Sequence, residues 1–208
     1  PAGSAAAPES FPVVTSRDGN VALIRLADPE RRNVLDLAMA EALRAAAERV
    51  GGDPEVRAVV LTGTGRTFAA GADIAEIEAA SVAENLAYNR RLRDAVDAVA
   101  AIPAPTIAAL NGHAIGGGLE LACACTLRVA SAAAKLGLPE ARLGIMPATG
   151  GLARLPRLIG PGAAARLALT GELIGAAEAE ALGLLSAVPA ALVEAEALAL
   201  ARRIAGAA

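Results

Sequence analysis

An α/β fold is predicted by three observations. Short apolar runs rich in valine and alanine alternate along the chain with segments whose apolar residues recur at helical spacing. Two of the runs, "VRAVVLTG" (Val56 to Gly63) and "TIAAL" (Thr106 to Leu110), are each followed by a glycine-rich loop and then a helical segment. No composition shift, low-complexity linker or strong repeat divides the 208 residues, so one core domain is expected over residues 11–208.

Taken in order, "PAGSAAAPES" at residues 1–10 is small and polar. It lacks the basic-then-apolar order of a signal peptide and reads as a flexible leader. "VALIRL", Val21 to Leu26, is a strand. Asp36 caps a helix that runs to about Val50, because Met39, Leu43, Ala46 and Val50 align at helical spacing and Gly51-Gly52 ends it. Val56 to Gly63 is apolar on both alternating faces, as a buried strand requires. "GTGRTFAAGAD" is a glycine-rich loop, and a long helix from about Glu84 to Ile102 carries Leu92, Val96 and Val99 on one face until Pro103 and Pro105 stop it. Thr106 to Leu110 is a second buried strand, followed by three glycines and a helix through Cys125. "TLRVAS" is a third strand, the loop "KLGLPEARLGIMPATGG" and several short helices come next, and a last helix spans about Leu192 to Ile204.

Composition narrows the function classes. Hydrophobic residues make up 55% and aromatics 1%, so the core is built from Ala, Leu, Val and Ile. A net charge of −3 argues against a general nucleic-acid surface but leaves room for a local basic site. The longest apolar region, Ala95 to Cys125, is interrupted by prolines, glycines, His113 and Glu120, so no membrane span is expected, and the cytoplasm is the default location. Cys123 and Cys125 lie two apart on a helix, where their side chains diverge, so they read as buried structural thiols. His113 is the single histidine, which leaves a metal site without ligands; it reads as structural.

The two glycine loops carry the chemistry. Gly117 opens a helix, and a helix N-terminus presents unpaired N–H groups that glycine lets a ligand approach. A tight packing turn is the alternative reading, but three glycines in a row favour close ligand approach. Neither G-x-G-x-x-G nor G-x-x-x-x-G-K-[ST] is present. In "FAAGAD" Asp73 caps a second helix and the N–H of Ala72, after Gly71, points out of the turn. Two such N–H groups from neighbouring loops form an oxyanion hole. Glu120 follows Gly117 by three residues and falls on the same helical face, near the α and β carbons of a carbonyl compound held there. A solvated helix face is the alternative for Glu120, disfavoured by its apolar neighbours. Glu140 in "GLPEARLGI" is stiffened by Pro139 but alone reads as a loop residue.

With these residues in place, the chain resembles the enoyl-CoA hydratase/isomerase, or crotonase, superfamily. The matching stretches are "RRNVLDLAMAEAL", "VRAVVLTGTGRTFAAGADI", "IPAPTIAALNGHAIGGGLELACACTLRVAS", "AKLGLPEARLGIMPATGGLARLPRLIG" and "TGELIGAAEAEALGLLSAV", in order from about Val21 to Ile204. The resemblance implies a spiral of repeated β-β-α units with a C-terminal helical part that is incomplete here. It implies Ala72 and Gly117 as the two oxyanion-hole donors, Glu120 and Glu140 as the catalytic carboxylates, and Arg32, Ala70, Asp73 and Ile74 as substrate-binding residues. It also implies an acyl-CoA thioester substrate, no separate cofactor (coenzyme A is part of the substrate), and a homo-oligomer, a trimer or a dimer of trimers.

Isomerases of this superfamily generally keep the acid at the second position and lose the first; this chain has both, which favours hydration of a 2-enoyl-CoA to 3-hydroxyacyl-CoA. An enoyl-CoA isomerase and a non-catalytic acyl-CoA-binding protein are the alternatives. Four positions depart from the usual pattern. Ala75 stands where many hydratases carry lysine, Val34 where alanine is usual, and "PATGG", with Ala148 and Thr149, replaces "PGAGG". Arg31 and Arg32 remain as candidates for the CoA phosphates.

Overall fold

The two valine- and alanine-rich runs lie side by side. The structure is a computed structural model that describes residues 12–207, so the leader expected at residues 1–10 lies outside the described residues. A hairpin of β1 (Val13–Asp18) and β2 (Val21–Leu26) leads into α1 (Leu37–Gly51), then β3 (Ala58–Gly63) and β4 (Thr67–Ala69). Helices α2 (Ile74–Ala79) and α3 (Val82–Ala100) precede β5 (Thr106–Leu110), β6 (His113–Ile115) and α4 (Gly117–Ala124). Next come β7 (Leu127–Ser131), β8 (Lys135–Gly137), a 3-10 helix (Pro139–Leu143), α5 (Gly151–Ile159) and α6 (Pro161–Thr170). The chain closes with β9 (Leu173–Gly175), α7 (Ala176–Ala181), β10 (Ser186–Val188) and α8 (Val193–Ala207).

The strands form two sheets. One has the order β1-β2-β3-β5-β7-β10 and is parallel apart from the β1–β2 hairpin; the other has the order β4-β6-β8-β9. Each turn of the chain places one strand in the large sheet, the next short strand in the small sheet, and then a helix: β3-β4-α2/α3, then β5-β6-α4. This is the β-β-α spiral that the resemblance implies.

Burial on both faces explains the long apolar runs. On β3, Val59 and Leu61 join the main core with Met39 and Leu43 of α1 and Leu92 and Val96 of α3. Ala58 and Val60 point the other way, onto Val193, Ala197 and Ala201 of α8. Alternation on a pleated strand gives those two destinations.

Local signals set the helix boundaries. Asp36 caps α1 by accepting from the Met39 N–H at 2.8 Å. Helix α3 begins at Val82, two residues before the expected start at Glu84, because Ser81 and Glu84 form a reciprocal capping box. The expected loops after Gly63 and Ser131 are corrected: they contain β4, β8 and the 3-10 helix. Cys123 and Cys125 are buried free thiols. His113 is exposed, and its Nδ1 accepts from the Lys135 N–H at 3.0 Å, tying β6 to β8. Among the described residues no helix is long and apolar enough to cross a membrane.

Candidate active site

Parallel pairing of β3 with β5 brings the two glycine loops together. A Cβ on Gly71 would stand 3.3 Å from the Gly117 nitrogen, and one on Gly117 would stand 3.8 Å from the Ala72 nitrogen. Gly71 has φ +92° and Gly116 has φ +54°, conformations that L side chains rarely adopt. The three consecutive glycines answer to three neighbours. A Cβ on Gly116 would stand 2.7 Å from Glu140 Oε1, one on Gly118 would stand 2.2 Å from the Ala69 carbonyl oxygen, and Gly117 lies against the Ala72 loop.

Both N–H groups are aimed by the carbonyl of their own peptide unit. The Gly71 carbonyl accepts from the Leu35 N–H at 2.7 Å. In a planar trans peptide the Ala72 N–H then points the opposite way. The Gly116 carbonyl accepts from the N–H groups of Leu119 at 2.8 Å and Glu120 at 3.0 Å, which turns the Gly117 N–H outward. Gly117 is the first residue of α4, so its N–H has no partner within the helix. Among the described residues, neither N–H donates to a backbone carbonyl in the turns and loops.

Glu120 projects from the first turn of α4 and is only 2% exposed. Its Oε1 accepts from the N–H groups of Thr149 at 3.0 Å and Gly151 at 2.6 Å. Gly151 begins α5, so the carboxylate also sits at the positive end of a helix. Glu140, which the sequence alone reads as a loop residue, is 9% exposed on the 3-10 helix, and its Oε2 has no hydrogen-bond partner. Burial pushes the Glu140 carboxyl up to about 7; a backbone N–H of its own residue partly offsets this, and the charge of Glu120 adds to it.

A groove of about 340 Å³ next to Ala72 is lined by Arg32, Ala70, Asp73 and Ile74, which brings together all four residues expected to bind substrate. Val34 lines it too. Arg31 also borders it, but its guanidinium is spent on Asp36 and on Asp73, the latter at 2.8 Å. Arg32 is therefore the freer of the two arginines considered for the phosphates. Asp73 is doubly employed: it caps α2 through the N–H groups of Ala75 and Glu76. Among the described residues no three His, Cys, Asp or Glu side chains converge as metal ligands.

Sequence reasoning misses several supports of this site. Tyr88 donates its hydroxyl to the Leu35 carbonyl at 2.7 Å and accepts from the Asp73 N–H at 3.0 Å. Its signal was available: it lies one turn before Leu92 on the apolar stripe of α3, and a buried tyrosine hydroxyl finds partners. Asn33 is fully buried at φ +52°, and its side-chain amide donates to the carbonyls of Thr64, Thr67 and Phe68. A lone amide beside "VL" hints at burial but names no partner. The Thr149 and Gly151 N–H groups are backbone, and no residue type announces them.

The fold and site define a protein with a β-β-α spiral core, two outward N–H groups at the ends of neighbouring strands, and two buried carboxylates beside them. The sequence matches the profile of the enoyl-CoA hydratase/isomerase family over residues 16–208. The chain is 38% identical over 177 residues to the crotonyl-CoA hydratase of Syntrophomonas wolfei, covering 85% of this chain and 68% of that protein. Among solved structures it superposes with TM-score 0.90 on an enoyl-CoA hydratase from Bacillus anthracis, at 38% identity, covering 93% of this chain and 76% of that one. DspI of Pseudomonas aeruginosa superposes equally, with TM-score 0.90 at 34% identity, over 98% of this chain and 84% of that one. The chain belongs to the enoyl-CoA hydratase/isomerase family.

Proposed function

We propose that the chain is an enoyl-CoA hydratase, adding water across the 2,3 double bond of a 2-enoyl-CoA to give a 3-hydroxyacyl-CoA. The observation that supports this reading is the pair of buried carboxylates: Glu140 lies against Gly116, and Glu120 stands in the first turn of α4, which Gly117 opens. Isomerisation needs one proton shuttle; addition of water needs a group to take a proton from water and a group to give one to carbon.

In this reading the thioester oxygen sits between the N–H groups of Ala72 and Gly117. Negative charge grows there as water attacks the β carbon, and each preset donor contributes about 3 kcal/mol to that state. Glu120, which accepts two N–H groups through Oε1, takes a proton from the water. Glu140, raised to about 7, keeps a proton near neutral pH and delivers it to the α carbon. The hydroxyl joins the β carbon, the proton joins the α carbon, and no electrons leave the substrate. The reaction is redox-neutral, so coenzyme A enters only as part of the substrate and no separate cofactor is proposed. Arg32, Ala70, Asp73 and Ile74 take the CoA portion along their groove.

The same reading carries a homo-oligomer, a trimer or dimer of trimers.

The test is turnover of a panel of 2-enoyl-CoA thioesters, with products identified by mass. A product heavier by one water, lost by at least about a hundredfold in Glu120→Gln and in Glu140→Gln while thioester affinity is kept, is the expected result. A shifted double bond without added water makes the chain an isomerase. Tight binding with no product makes it a binding protein.

A further inference from the structure

The two N–H groups that hold Glu120 belong to a loop that is itself gripped from behind. Arg93, exposed on α3, donates Nε and Nη2 to the Ala148 carbonyl at 3.0 and 2.7 Å. That carbonyl shares a peptide unit with the Thr149 N–H. In a planar trans peptide the two point in opposite directions, so pinning the carbonyl aims the N–H at Glu120. Arg154, in the first turns of α5, donates Nη1 to the Thr149 carbonyl at 3.1 Å, and its Nη2 pairs with Asp97 of α3. Its guanidinium crosses Gly150 so closely that a Cβ there would stand 2.0 Å from Nη1. Arg93 and Asp97 are four residues apart on α3 and therefore share a face. One face of α3 thus fixes the loop at two points, one directly and one through Arg154.

The chain of bonds runs Arg93 to Ala148 carbonyl, Thr149 N–H to Glu120 Oε1. Each bond polarises the peptide that makes the next, so the outer guanidinium strengthens as well as aims the inner one. The departure of the "PATGG" loop from the family pattern leaves this device intact, because every contact to residues 148 and 149 uses their backbone.

We infer that Arg93 and Arg154 are positioning residues for Glu120: they set the loop whose N–H groups hold the carboxylate, and neither touches substrate. The inference rests on the reading of Glu120 as the group that takes a proton from water.

Arg93→Met keeps the side chain's length and removes its donors. In the full chain, kcat for the best enoyl-CoA of the panel should fall at least about tenfold, with KM changed less than about twofold. Arg93→Lys, which restores one donor, should recover most of that loss. Amide hydrogen exchange of Thr149, followed without substrate, should quicken about tenfold in Arg93→Met while the α3 amides keep their protection. Arg154→Met should act in the same direction; if it does not fold, Arg93→Met alone decides.

An unchanged Thr149 amide in Arg93→Met overturns the inference. So does a quickened amide with undiminished kcat, or a kcat loss that lysine does not rescue and that follows the thermal midpoint down. If the wild-type chain hydrates no thioester, the hydratase reading falls on that result, and the exchange measurement still decides whether Arg93 sets the loop.

Discussion

The Glu140 carboxylate rests against the bare Cα of Gly116, so closely that a Cβ on the glycine would stand 2.7 Å from Oε1. The residue next to the second outward N–H is thus the floor on which the second acid lies. Gly116→Ala introduces a methyl into that contact and strains a backbone at φ +54°, at a cost of about 1–3 kcal/mol. The acid must move or the turn must open. Turnover should drop at least about a hundredfold, with the thermal midpoint lowered by a few degrees in calorimetry. A Gly116→Ala protein with native turnover would remove Glu140 from its place in the reaction.

Glu140 also gives the protein a pH signature. Its carboxyl is raised from the ordinary 4.5 to about 7, chiefly by burial. The folded chain therefore holds this proton more tightly than the unfolded chain. The stabilisation is complete below about 4.5 and is lost as pH rises through about 7. Glu140→Gln has no proton to lose. Between about pH 4.5 and 8 the wild type should lose on the order of 3 kcal/mol relative to Glu140→Gln in parallel denaturant titrations. Hydration by the wild type should decline above about pH 7 for the same reason, as the donor empties. Parallel stability curves for the two proteins across this range would show that the carboxyl is not raised.

The legible and illegible parts of the molecule divide along physical lines. β3 and β5 are buried on both faces, so their runs are continuously apolar and readable. The strands β4, β6 and β8 have three residues each, "TFA", "HAI" and "KLG", too short to carry any period, and with them the whole second sheet stays hidden. The Ala72 and Gly117 N–H groups are legible because glycine and a capping aspartate mark their turns. Glu120 is legible because its neighbours are apolar. Glu140 is not, without the resemblance: its burial comes from distant chain folding over the 3-10 helix, and Pro139 says nothing of that. The clamp on Glu120 is illegible for a different reason, since it is made of main chain.

Gly117 offers a clean deletion of one outward N–H. It is the first residue of α4, where proline's missing N–H and fixed φ suit a helix. Its Cβ position meets only ordinary contacts, the nearest being Leu35 Cδ1 at 3.4 Å. Where it folds, Gly117→Pro should lower turnover by about a hundred- to a thousandfold, the range seen for loss of one oxyanion donor. Circular dichroism checks the fold and the thioester assay checks the rate. A folded, fully active variant would move the carbonyl oxygen away from this turn.

Tyr88 tests the other half of the N–H pair. Leu35 holds the Gly71 carbonyl and so aims the Ala72 N–H; Tyr88 ties Leu35 to Asp73, the residue on the far side of Ala72. Tyr88→Phe keeps the ring in its pocket on α3 and leaves the Leu35 carbonyl and the Asp73 N–H without this partner. Two groups so stranded cost about 1–3 kcal/mol each when fully buried. The thermal midpoint should fall by several degrees and turnover by about tenfold, with thioester affinity reduced because Asp73 and Ile74 begin the wall of the groove. Tyr88 is the chain's single tyrosine, which allows a direct check of its environment. Burial raises its hydroxyl to about 12, so alkaline titration should show no phenolate absorbance until the protein unfolds. Phenolate appearing near the ordinary value of 10.0, together with native stability in Tyr88→Phe, would mean that the hydroxyl lies in water and does not brace the Ala72 loop.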